Sequence, residues 1–448
     1  MATRGAILLR TQPNPGAAAV GWATVRARTA TLLLVLATAL PRLAALLHER
    51  GAILTAFTDK GDNFAQTFLA SGTYGFIPGH PSAYTQPLYG WFLIPLYWIF
   101  GRHWEVVGLA QIAVAVGTTL LVWRIGNRWL SPWAGLLAGL AVALHPYLVW
   151  HDVHMNREIL DHFLAAATVY LTLHAAERFG WRRAAALGAV LGLAVLGNVR
   201  LEALPFVLAA YLLWRVRPTA RGALLGVTAL LAAAAVVVAP WIVRNQVDVG
   251  CATVTTDARA LWKANNVNTL ETLRKGLWID YVPIPASFPT DPQDIAAKWQ
   301  KTGVVAPYSE CAQMSMYESK VISFLEHHPG EKLQLMGIGT QWLWQPSVVE
   351  VQGRSGAGGI LDTLRSTAEP AFMIPLYVLG AIGLFLVPRF LGVLALLLVG
   401  YQTAAAALFV GETRYRAPWD FVIALLAAAA VVELVRRRRG RRPGEATP

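Results

Sequence analysis

The segment Gly222–Trp241 has the sequence GALLGVTALLAAAAVVVAPW and carries no charged side chain. About 20 apolar residues in a helix are enough to cross the hydrocarbon core of a bilayer, so this segment predicts a transmembrane helix. Other apolar runs bring the predicted total to about ten helices, within a range of about 8 to 12. These runs are Ala30–Leu47, Val106–Trp123, Pro132–Trp150, Ile159–Ala175, Ala184–Val199, Ala203–Trp214, Ala371–Val387, Phe390–Val410 and Trp419–Val435. The sequence therefore predicts an all-α polytopic membrane protein.

The overall composition supports the same fold class. Of 448 residues, 55% are hydrophobic and 14% are charged, and the mean hydropathy is +0.45. Soluble domains usually carry about 25% charged residues, so a chain this long and this poor in charge cannot cover its surface with polar groups. The net charge of +12 is dispersed between apolar runs and at the two ends, whereas a nucleic-acid-binding face needs clustered charge. Membrane lipids are the expected partners, and nucleic acid is not.

The basic residues indicate the orientation, because the cytoplasmic loops of membrane proteins are enriched in Lys and Arg. If the chain starts in the cytoplasm, the arginines between successive runs all lie on that side. They are Arg124, Arg128, Arg178, Arg182, Arg183, Arg215, Arg217, Arg221, Arg389, Arg436, Arg437, Arg438, Arg439, Arg441 and Arg442. With an Ala- and Arg-rich composition typical of a GC-rich bacterial genome, this predicts a bacterial inner-membrane protein with both termini in the cytoplasm.

This topology divides the chain into five regions. They are a disordered cytoplasmic tail without a cleavable signal peptide (1–29), a transmembrane module with a first outer loop at 48–105 (30–241), a large mixed periplasmic loop region (242–370), the last transmembrane helices (371–435) and a basic cytoplasmic tail (436–448). Two aromatic runs, Pro87–Phe100 and Leu333–Trp344, are too short to cross a bilayer. We expect both to lie as helices in the outer interface.

The two cysteines of the chain, Cys251 and Cys311, both lie in the predicted periplasmic loop. Two cysteines on the same oxidising side of a membrane can form a disulfide. Sequence separation does not show whether their Cα atoms come within bonding reach. A disulfide and two unpaired thiols therefore both stay open.

Four polar clusters lie at the predicted outer ends of apolar runs, where polar groups are costly and hence informative. They are Thr58–Asn63, His151–Glu158, Asn198–Glu202 and Gly411–Arg416. Together they bring carboxylates and arginines to one depth on one face. Arginine geometry suits phosphate oxygens, and a partly desolvated carboxylate suits general-base catalysis on a hydroxyl. The combination predicts a site that holds a lipid phosphate while the lipid tail stays in the bilayer.

Taken singly, each cluster also has a purely structural interpretation. Asp59 and Asp62 precede or begin a predicted helix, where carboxylates cap the backbone and complement the helix dipole. Arg414 and Arg416 are placed where long basic side chains extend from the membrane toward water. The co-location of the clusters, rather than any one of them, is what favours a functional site.

Several segments within about Arg42 to Val435 carry motifs in a defined order: Arg42-Leu43, GDNFAQTFLASGTYGF (61–76), QPLYGWFLIPLYWIFG (86–101), MNREILDHFLAAATVYLTL (155–173), GNVRLEALPF (197–206), ALWKANNVNT (260–269) and ETRYRAPW (412–419). Their order resembles the GT-C class of integral-membrane glycosyltransferases. Within this class the chain is most similar to the bacterial family related to dolichyl-phosphate-mannose protein mannosyltransferases and to the lipid A aminoarabinose transferase. The resemblance implies that residues 30–241 form the catalytic module.

The same resemblance implies a mechanism in which a sugar leaves a polyprenyl-phosphate carrier for an acceptor hydroxyl, with inversion. Asp62, acting alone or with Asp59, is the implied catalytic base. The residues implied to bind the donor phosphate are Arg200, Arg414, Arg416 and Arg244. The residues implied to position the substrates are Glu158, Asp152, His154, Lys263, Asn265, Asn266 and Tyr415.

Two departures from the family pattern bear on these roles. The family's Asp-Glu pair is Asp62-Asn63 here, so the second carboxylate is missing. A Gly-Asn-Asn-Pro loop is Ala264-Asn265-Asn266-Val267, which changes its expected backbone geometry.

The resemblance requires no cofactor. His151, Asp152 and His154 are nevertheless of types that bind divalent metals, so a metal site stays possible. The acceptor can be a lipid, a glycan or a protein.

Two functions of other classes also stay open. A flippase or transporter for lipid-linked sugars needs polar residues along a path through the membrane and usually internal repeats, whereas the inner halves of these helices are almost uniformly Ala, Leu and Val. A non-catalytic homologue that acts as a membrane scaffold is compatible with Asn63.

Overall fold

The computed structural model describes residues 27–56, 58–347 and 360–440. Within these ranges the regular secondary structure is helical. The helices are α1 (Ala27–Glu49), α2 (Lys60–Ser71), α3 (Leu88–Phe100), α4 (Trp104–Trp129), α5 (Pro132–Ala143), α6 (Pro146–His151), α7 (Glu158–Glu177), α8 (Trp181–Gly197), α9 (Leu204–Val216), α10 (Ala220–Asp248), α11 (Ala258–Lys263), α12 (Thr269–Arg274), α13 (Pro292–Thr302), α14 (Glu310–His327), α15 (Pro329–Trp344), α16 (Ile360–Leu384), α17 (Arg389–Leu408), α18 (Thr413–Arg416) and α19 (Asp420–Gly440). The predicted all-α fold class is confirmed. Most of the predicted N-terminal tail and the end of the predicted basic tail lie outside the described residues.

Seven helices in the described ranges are long and apolar enough to cross a membrane. They are Ala27–Glu49, Trp104–Trp129, Glu158–Glu177, Ala220–Asp248, Thr367–Leu384, Arg389–Leu408 and Thr413–Arg438. Each of them coincides with a predicted run, and the chain is a multi-pass membrane protein. The other three predicted runs correspond to shorter helices: α5 with α6, α8 and α9.

The predicted helix Pro132–Trp150 is interrupted in the structure, which corrects that boundary. Helix α5 ends at Ala143 and α6 starts at Pro146. Proline has no backbone N–H and pushes the preceding residue out of the helical region. His145 accordingly has an extended backbone, with φ −61° and ψ 117°. The break matters because α6 leads directly into one of the predicted polar clusters.

Close contact between α8 and α10 depends on glycine. Gly188 and Gly192 are four residues apart on one face of α8, the small-residue spacing that lets membrane helices approach closely. A Cβ atom at Gly188 would lie 2.0 Å from the Leu230 carbonyl oxygen, and one at Gly192 would lie 2.8 Å from that of Ala234. The two backbones therefore pack at a distance that excludes any larger side chain.

Predicted cytoplasmic residues meet at one end of the bundle. Arg128 forms an ion pair of 2.6 Å with Glu177, and Arg183 donates to the His174 carbonyl oxygen at 2.7 Å. These contacts join the end of α4 to the end of α7 and the start of α8. The opposite end carries the predicted outer loops and is called the site end below.

At the site end, α3 and α15 are short helices with exposed apolar side chains. Helix α3 has 13 residues and exposes Trp98 and Phe100. Helix α15 has 16 residues and exposes Leu333. Their length and apolar exposure fit the predicted position in the membrane interface.

The long segment after α10 folds into helices α11 to α15 over its described part. Cys251 and Cys311 form a disulfide with Cα atoms 5.8 Å apart, so the disulfide alternative is the one observed. A second link is the carboxylate of Glu310, which accepts from the Ala83 amide at 3.0 Å and from the Thr256 hydroxyl at 2.7 Å. The disulfide and the Thr256 contact join parts of this segment to each other, and the Ala83 contact holds the segment against the first outer loop.

We expect Gly188→Ala to lower the thermal unfolding midpoint in detergent, because the new methyl group has no room beside Leu230. Overpacking of this kind typically costs about 1–3 kcal/mol. Gly400→Ala is the matched control, since a Cβ at Gly400 meets nothing within 4 Å and alanine favours helix formation. Equal midpoints for the two variants would contradict the proposed packing.

Candidate functional site

Four segments from distant parts of the sequence converge at the site end. The amide of Asp59, just before α2, donates to the Met155 carbonyl oxygen at 3.0 Å. Met155 lies in the turn between α6 and α7. The 3₁₀ turn Val199–Leu201 and helix α18 complete the group, since the Arg200 guanidinium lies on the Tyr415 ring and the charge of Arg414 acts on Glu158. The structure thus brings together the four predicted polar clusters.

Asp59 is the N-cap of α2, and its Oδ1 accepts from the Gly61 amide at 2.7 Å. Burial raises the pKa of Asp59 above its ordinary value, and the negative charge of Glu158 adds to the rise. Arg157, the Gly61 amide and Lys60 act in the opposite direction. Desolvation therefore makes this carboxylate a better base, whereas the cationic groups beside it act in the opposite direction.

Asp62, the predicted base, has both carboxylate oxygens engaged. Arg102 binds them with Nε and Nη2 at 3.0 and 2.7 Å, and the Tyr97 hydroxyl donates to Oδ1 at 2.7 Å. Gln66 donates to Oδ2 at 3.0 Å. The side chain is 2% exposed. These contacts tie α2 to the end of α3 and leave little room for a substrate hydroxyl.

Glu158 lies at the start of α7, buried among cationic groups. The charges that act on it come from His151, Arg157 and Arg414, in that order. Arg157 is itself held by the side-chain oxygen of Gln86. Glu158 therefore sits between the segment that carries Asp59 and the segment that carries Arg414, as expected for a residue that orients the arginines.

Arg200, Arg414 and Tyr415 form the opposite side of the site. The Arg200 guanidinium lies 3.7 Å from the centre of the Tyr415 ring, and Arg414 Nη2 donates to the Tyr415 hydroxyl at 2.9 Å. Arg414 Nε also forms an ion pair of 2.5 Å with Glu412. Burial lowers the pKa of Arg200, and repulsion from Arg414 and Arg157 lowers it further. A bound anion would relieve that repulsion.

The other two arginines predicted to bind phosphate are engaged elsewhere. Arg416 is fully buried in ion pairs with Asp420 and Glu369. Arg244 donates to the carbonyl oxygens of Ser82 and Tyr74 at 2.8 and 2.9 Å. Both side chains connect structural elements.

Asp152 and His154, predicted to position substrate, also have internal partners. Asp152 forms an ion pair of 2.8 Å with Arg42, and each of the two side chains is 1% exposed. His154 Nε2 lies 3.4 Å from Glu49, and its Nδ1 lies 2.9 Å from the Trp150 carbonyl oxygen. These contacts attach the turn between α6 and α7 to the end of α1.

Lys263, Asn265 and Asn266 shape the segment between α11 and α12. Lys263 donates to the Asp280 carbonyl oxygen at 2.9 Å, and Asn266 Nδ2 donates to that of Trp262 at 2.9 Å. Asn265 Oδ1 accepts from Lys332 at 2.6 Å. The described contacts of the two asparagines are with the protein, so they support the loop rather than face an open site.

One ion pair joins this segment to the first outer loop. Lys60 Nζ lies 2.8 Å from Asp257 Oδ2, next to the start of α11. Burial alone would raise the pKa of Asp257, but Lys60 and Arg259 outweigh it and leave the pKa lowered. The charged pair brings the long segment to the edge of the site beside Asp59.

An open groove of about 510 Å³ runs beside the site between α2, α3 and the end of α10. Its walls include Phe68, Trp91, Ile94 and Trp241, and Tyr74 lines the side toward Asp59. Such a surface suits an apolar chain at the membrane interface.

Among the described residues, three or more His, Cys, Asp or Glu side chains do not converge in a way that could hold a metal ion. His151 instead stacks on Tyr147, with ring centres 4.9 Å apart. The candidate metal ligands of the sequence thus have other neighbours in the structure.

Sequence reasoning did not assign roles to Arg157 and Lys60, which the structure places beside Asp59. Arg157 belongs to a polar cluster that the sequence does single out. Its neighbour Gln86 lies 71 residues away in the chain, so no local pattern could reveal the contact.

Comparison with known proteins gives one family match. A model of the dolichyl-phosphate-mannose-protein mannosyltransferase family matches residues 79–243. In a separate comparison, no curated protein matches the chain in sequence.

The fold is similar to solved membrane enzymes. The archaeal oligosaccharyltransferase AglB from Archaeoglobus fulgidus, in complex with an inhibitory peptide and a dolichol-phosphate, gives a TM-score of 0.50 at 13% identity over 93% of this chain and 52% of that chain. The A. fulgidus oligosaccharyltransferase with Zn and sulfate gives 0.51 at 13% identity over 91% and 50%. ArnT from Cupriavidus metallidurans bound to undecaprenyl phosphate gives 0.44 at 13% identity over 94% and 82%. The chain spans about half the length of the oligosaccharyltransferase.

The family match over residues 79–243 and the similar helical fold both agree with the resemblance to GT-C glycosyltransferases that the sequence motifs indicated.

We expect Asp152→Ala to lower the thermal unfolding midpoint strongly, because it leaves Arg42 buried without its carboxylate. Breaking a buried ion pair in this way costs about 3–5 kcal/mol. The double variant Arg42→Met/Asp152→Leu should recover much of the midpoint, since apolar residues of similar size often replace a buried ion pair without loss of stability. An unchanged midpoint in Asp152→Ala would instead favour a role for Asp152 in substrate binding.

Proposed function

We propose that the protein transfers a sugar from a polyprenyl-phosphate carrier to an acceptor hydroxyl at the outer face of a bacterial inner membrane. The observation that carries this proposal is the arrangement of Asp59 and Glu158 beside Arg157, Arg200 and Arg414, at the ends of membrane-spanning helices. Both termini then lie in the cytoplasm, consistent with the arginines at the opposite end of the bundle.

The arginines are suited to a phosphate that becomes a leaving group. Arg200 and Arg414 lie against the same ring of Tyr415, at 3.7 and 4.8 Å from its centre, so both can reach one anion. Fixed positive charge aimed at developing negative charge stabilises a transition state more than the ground state. The groove beside Tyr74 supplies an apolar path for the carrier chain.

In this proposal Asp59 is the base, and Asp62 holds α2 in place through Arg102. Asp59 takes the proton of the acceptor hydroxyl as its oxygen bonds to the anomeric carbon. The bond from that carbon to the phosphate oxygen breaks, its electron pair stays on the phosphate, and polyprenyl phosphate leaves. A single displacement of this kind inverts the anomeric configuration.

The remaining residues support the base, Asp59, and the phosphate-binding arginines. Glu158 orients Arg157 and Arg414 and bounds the space for the sugar. Asp152, His154, Lys263, Asn265 and Asn266 fix the segments that carry the site. The proposed chemistry requires no cofactor, because the donor is already activated by its phosphate link.

We expect Asp59→Asn to lower sugar transfer by about 10²–10⁴-fold, the usual loss when a general base is removed, while the protein stays folded. Asp62→Asn is the matched variant three residues away. It should lower the thermal unfolding midpoint but retain much more turnover per folded molecule. The assay measures release of polyprenyl phosphate by purified protein in lipid, with a panel of polyprenyl-phosphate sugars and a broad acceptor extract.

The opposite order of the two variants would assign the base to Asp62. Release from none of the proteins, with the wild type folded, would reject the transferase proposal and favour a flippase or a scaffold.

We also expect a pH dependence that follows Asp59. Because the pKa of Asp59 is raised by burial, the active deprotonated form is lost as the pH falls through that raised value. Arg157 opposes the rise most strongly, so Arg157→Gln should move the acid limb of kcat/KM to higher pH. Arg102→Gln is the control, because Arg102 binds Asp62. A shift in the control but not in Arg157→Gln would count against Asp59.

A further inference from the structure

Arg416 uses most of its guanidinium within the protein. Its Nε lies 3.1 Å from Asp420 Oδ2 and its Nη2 lies 3.3 Å from Glu369 Oε1. Its Nη1 donates to the carbonyl oxygens of Leu343 and Gln345 at 3.2 and 2.5 Å. The side chain is fully buried. Four hydrogen-bonding directions out of the five that arginine offers are thus occupied by protein groups.

The partners of Arg416 come from separate elements. Leu343 and Gln345 are at the end of α15, Glu369 is on α16, and Asp420 starts α19. Asp420 Oδ2 also lies 3.2 Å from His145 Nε2, and both side chains are buried. The arginine therefore ties α18 to three neighbouring helices and, through Asp420, to the residue before α6.

Two of these elements carry residues of the proposed site. Helix α18 carries Arg414 and Tyr415, and α6 carries Tyr147 and His151, whose rings stack 4.9 Å apart on the side of the site that holds Glu158. Residues two apart in a helix point about 200° apart around its axis. When Arg416 points into the bundle, Arg414 is therefore directed to the opposite side, toward Glu412 and Tyr415. Loss of the Arg416 anchor would let α18 turn and move Arg414.

We propose that Arg416, Asp420 and His145 are positioning residues. They fix α18 so that Arg414 and Tyr415 lie against Arg200, where the donor phosphate is proposed to bind. They act through Arg414 and do not touch the donor. The role given to Arg414 rests on the proposed function, whereas the way α18 is held does not. Because His145 stands at the break between α5 and α6, the same anchor also sets α6 relative to α18.

Thiol labelling tests the anchor without any enzyme activity. Both native cysteines are in the disulfide, so a substituted cysteine is the one reactive thiol. Thr413 is 1% exposed, and Thr413→Cys in purified protein should react slowly with a maleimide reagent. Adding Asp420→Asn or Arg416→Lys should raise that rate about tenfold or more, since local opening exposes a buried site in proportion to its population. Ala296→Cys on the buried face of α13 is the control, and its labelling rate should not change, because Ala296 is 5% exposed and lies in a different part of the protein.

Two variants are used so that poor folding of one does not decide the outcome. An unchanged labelling rate at Thr413→Cys in both backgrounds would overturn the proposal. Equal increases at Thr413→Cys and Ala296→Cys would also overturn it, because they indicate general loss of structure rather than release of α18.

The transfer assay adds a kinetic test with the donor sugar that the wild type uses. Asp420→Asn should lower kcat about tenfold or more by misplacing Arg414, and its combination with Arg414→Ala should be less than additive. Additive losses, or a raised donor KM in Arg416→Lys with unchanged labelling, would show that Arg416 acts independently of Arg414. If the wild type has no turnover, that result counts against the proposed function alone, and the labelling still decides the positioning role.

Discussion

Where the helices of this protein meet, water is scarce, and each charge needs a partner supplied by the protein. Arg42 with Asp152 and Arg416 with Asp420 meet this requirement by direct ion pairs between side chains that are almost fully buried. The first pair joins residues 110 positions apart in the sequence, and Arg416 also reaches Glu369, which is 47 positions away. Because each buried charge needs a partner, these ion pairs hold the short segments at the site end in place.

The same constraint separates the structural arginines from the functional candidates. Arg416 is surrounded by carboxylates and carbonyl oxygens, so an additional anion there would compete with existing partners. Arg200 instead lies on an aromatic ring beside other cations, and their repulsion together with burial lowers its pKa. Both residues are arginines in predicted outer clusters, and only their surroundings distinguish the candidate phosphate-binding arginine from the anchoring one.

Much of the fold follows from sequence because the membrane imposes simple requirements on length and polarity. Runs such as Gly222–Trp241 must be helical in a bilayer, and all seven long apolar helices coincide with predicted runs. Convergence of the four polar clusters also follows, since each stands at the same end of such a run. The predicted run Pro132–Trp150 follows apolar composition alone and passes through Pro146, although a proline marks a helix boundary in the sequence.

Individual roles at the site could not be derived in the same way. Asp59 and Asp62 are three residues apart and chemically identical, and either one can cap or begin a helix. Their difference is set by Arg102, some 40 residues further along the chain, which binds Asp62 and leaves Asp59 to the cationic side of the site. Likewise, the asparagines at 265 and 266 match a family motif, but Lys332 and nearby carbonyl oxygens determine what their amides contact.

Under the proposed function, this difference between the arginines accounts for how a site at a membrane surface favours a charged leaving group. A lipid-linked sugar brings its negative charge on the phosphate, and that charge grows as the bond to the sugar breaks. Arginines that repel one another in the free protein gain most when the anion is largest, so their interaction strengthens toward the transition state. Buried pairs such as Arg416 with Asp420 cannot respond in this way, because their charges are already matched. In the proposal, the contribution of Arg416 and Asp420 is therefore to hold Arg414 in place beside Arg200.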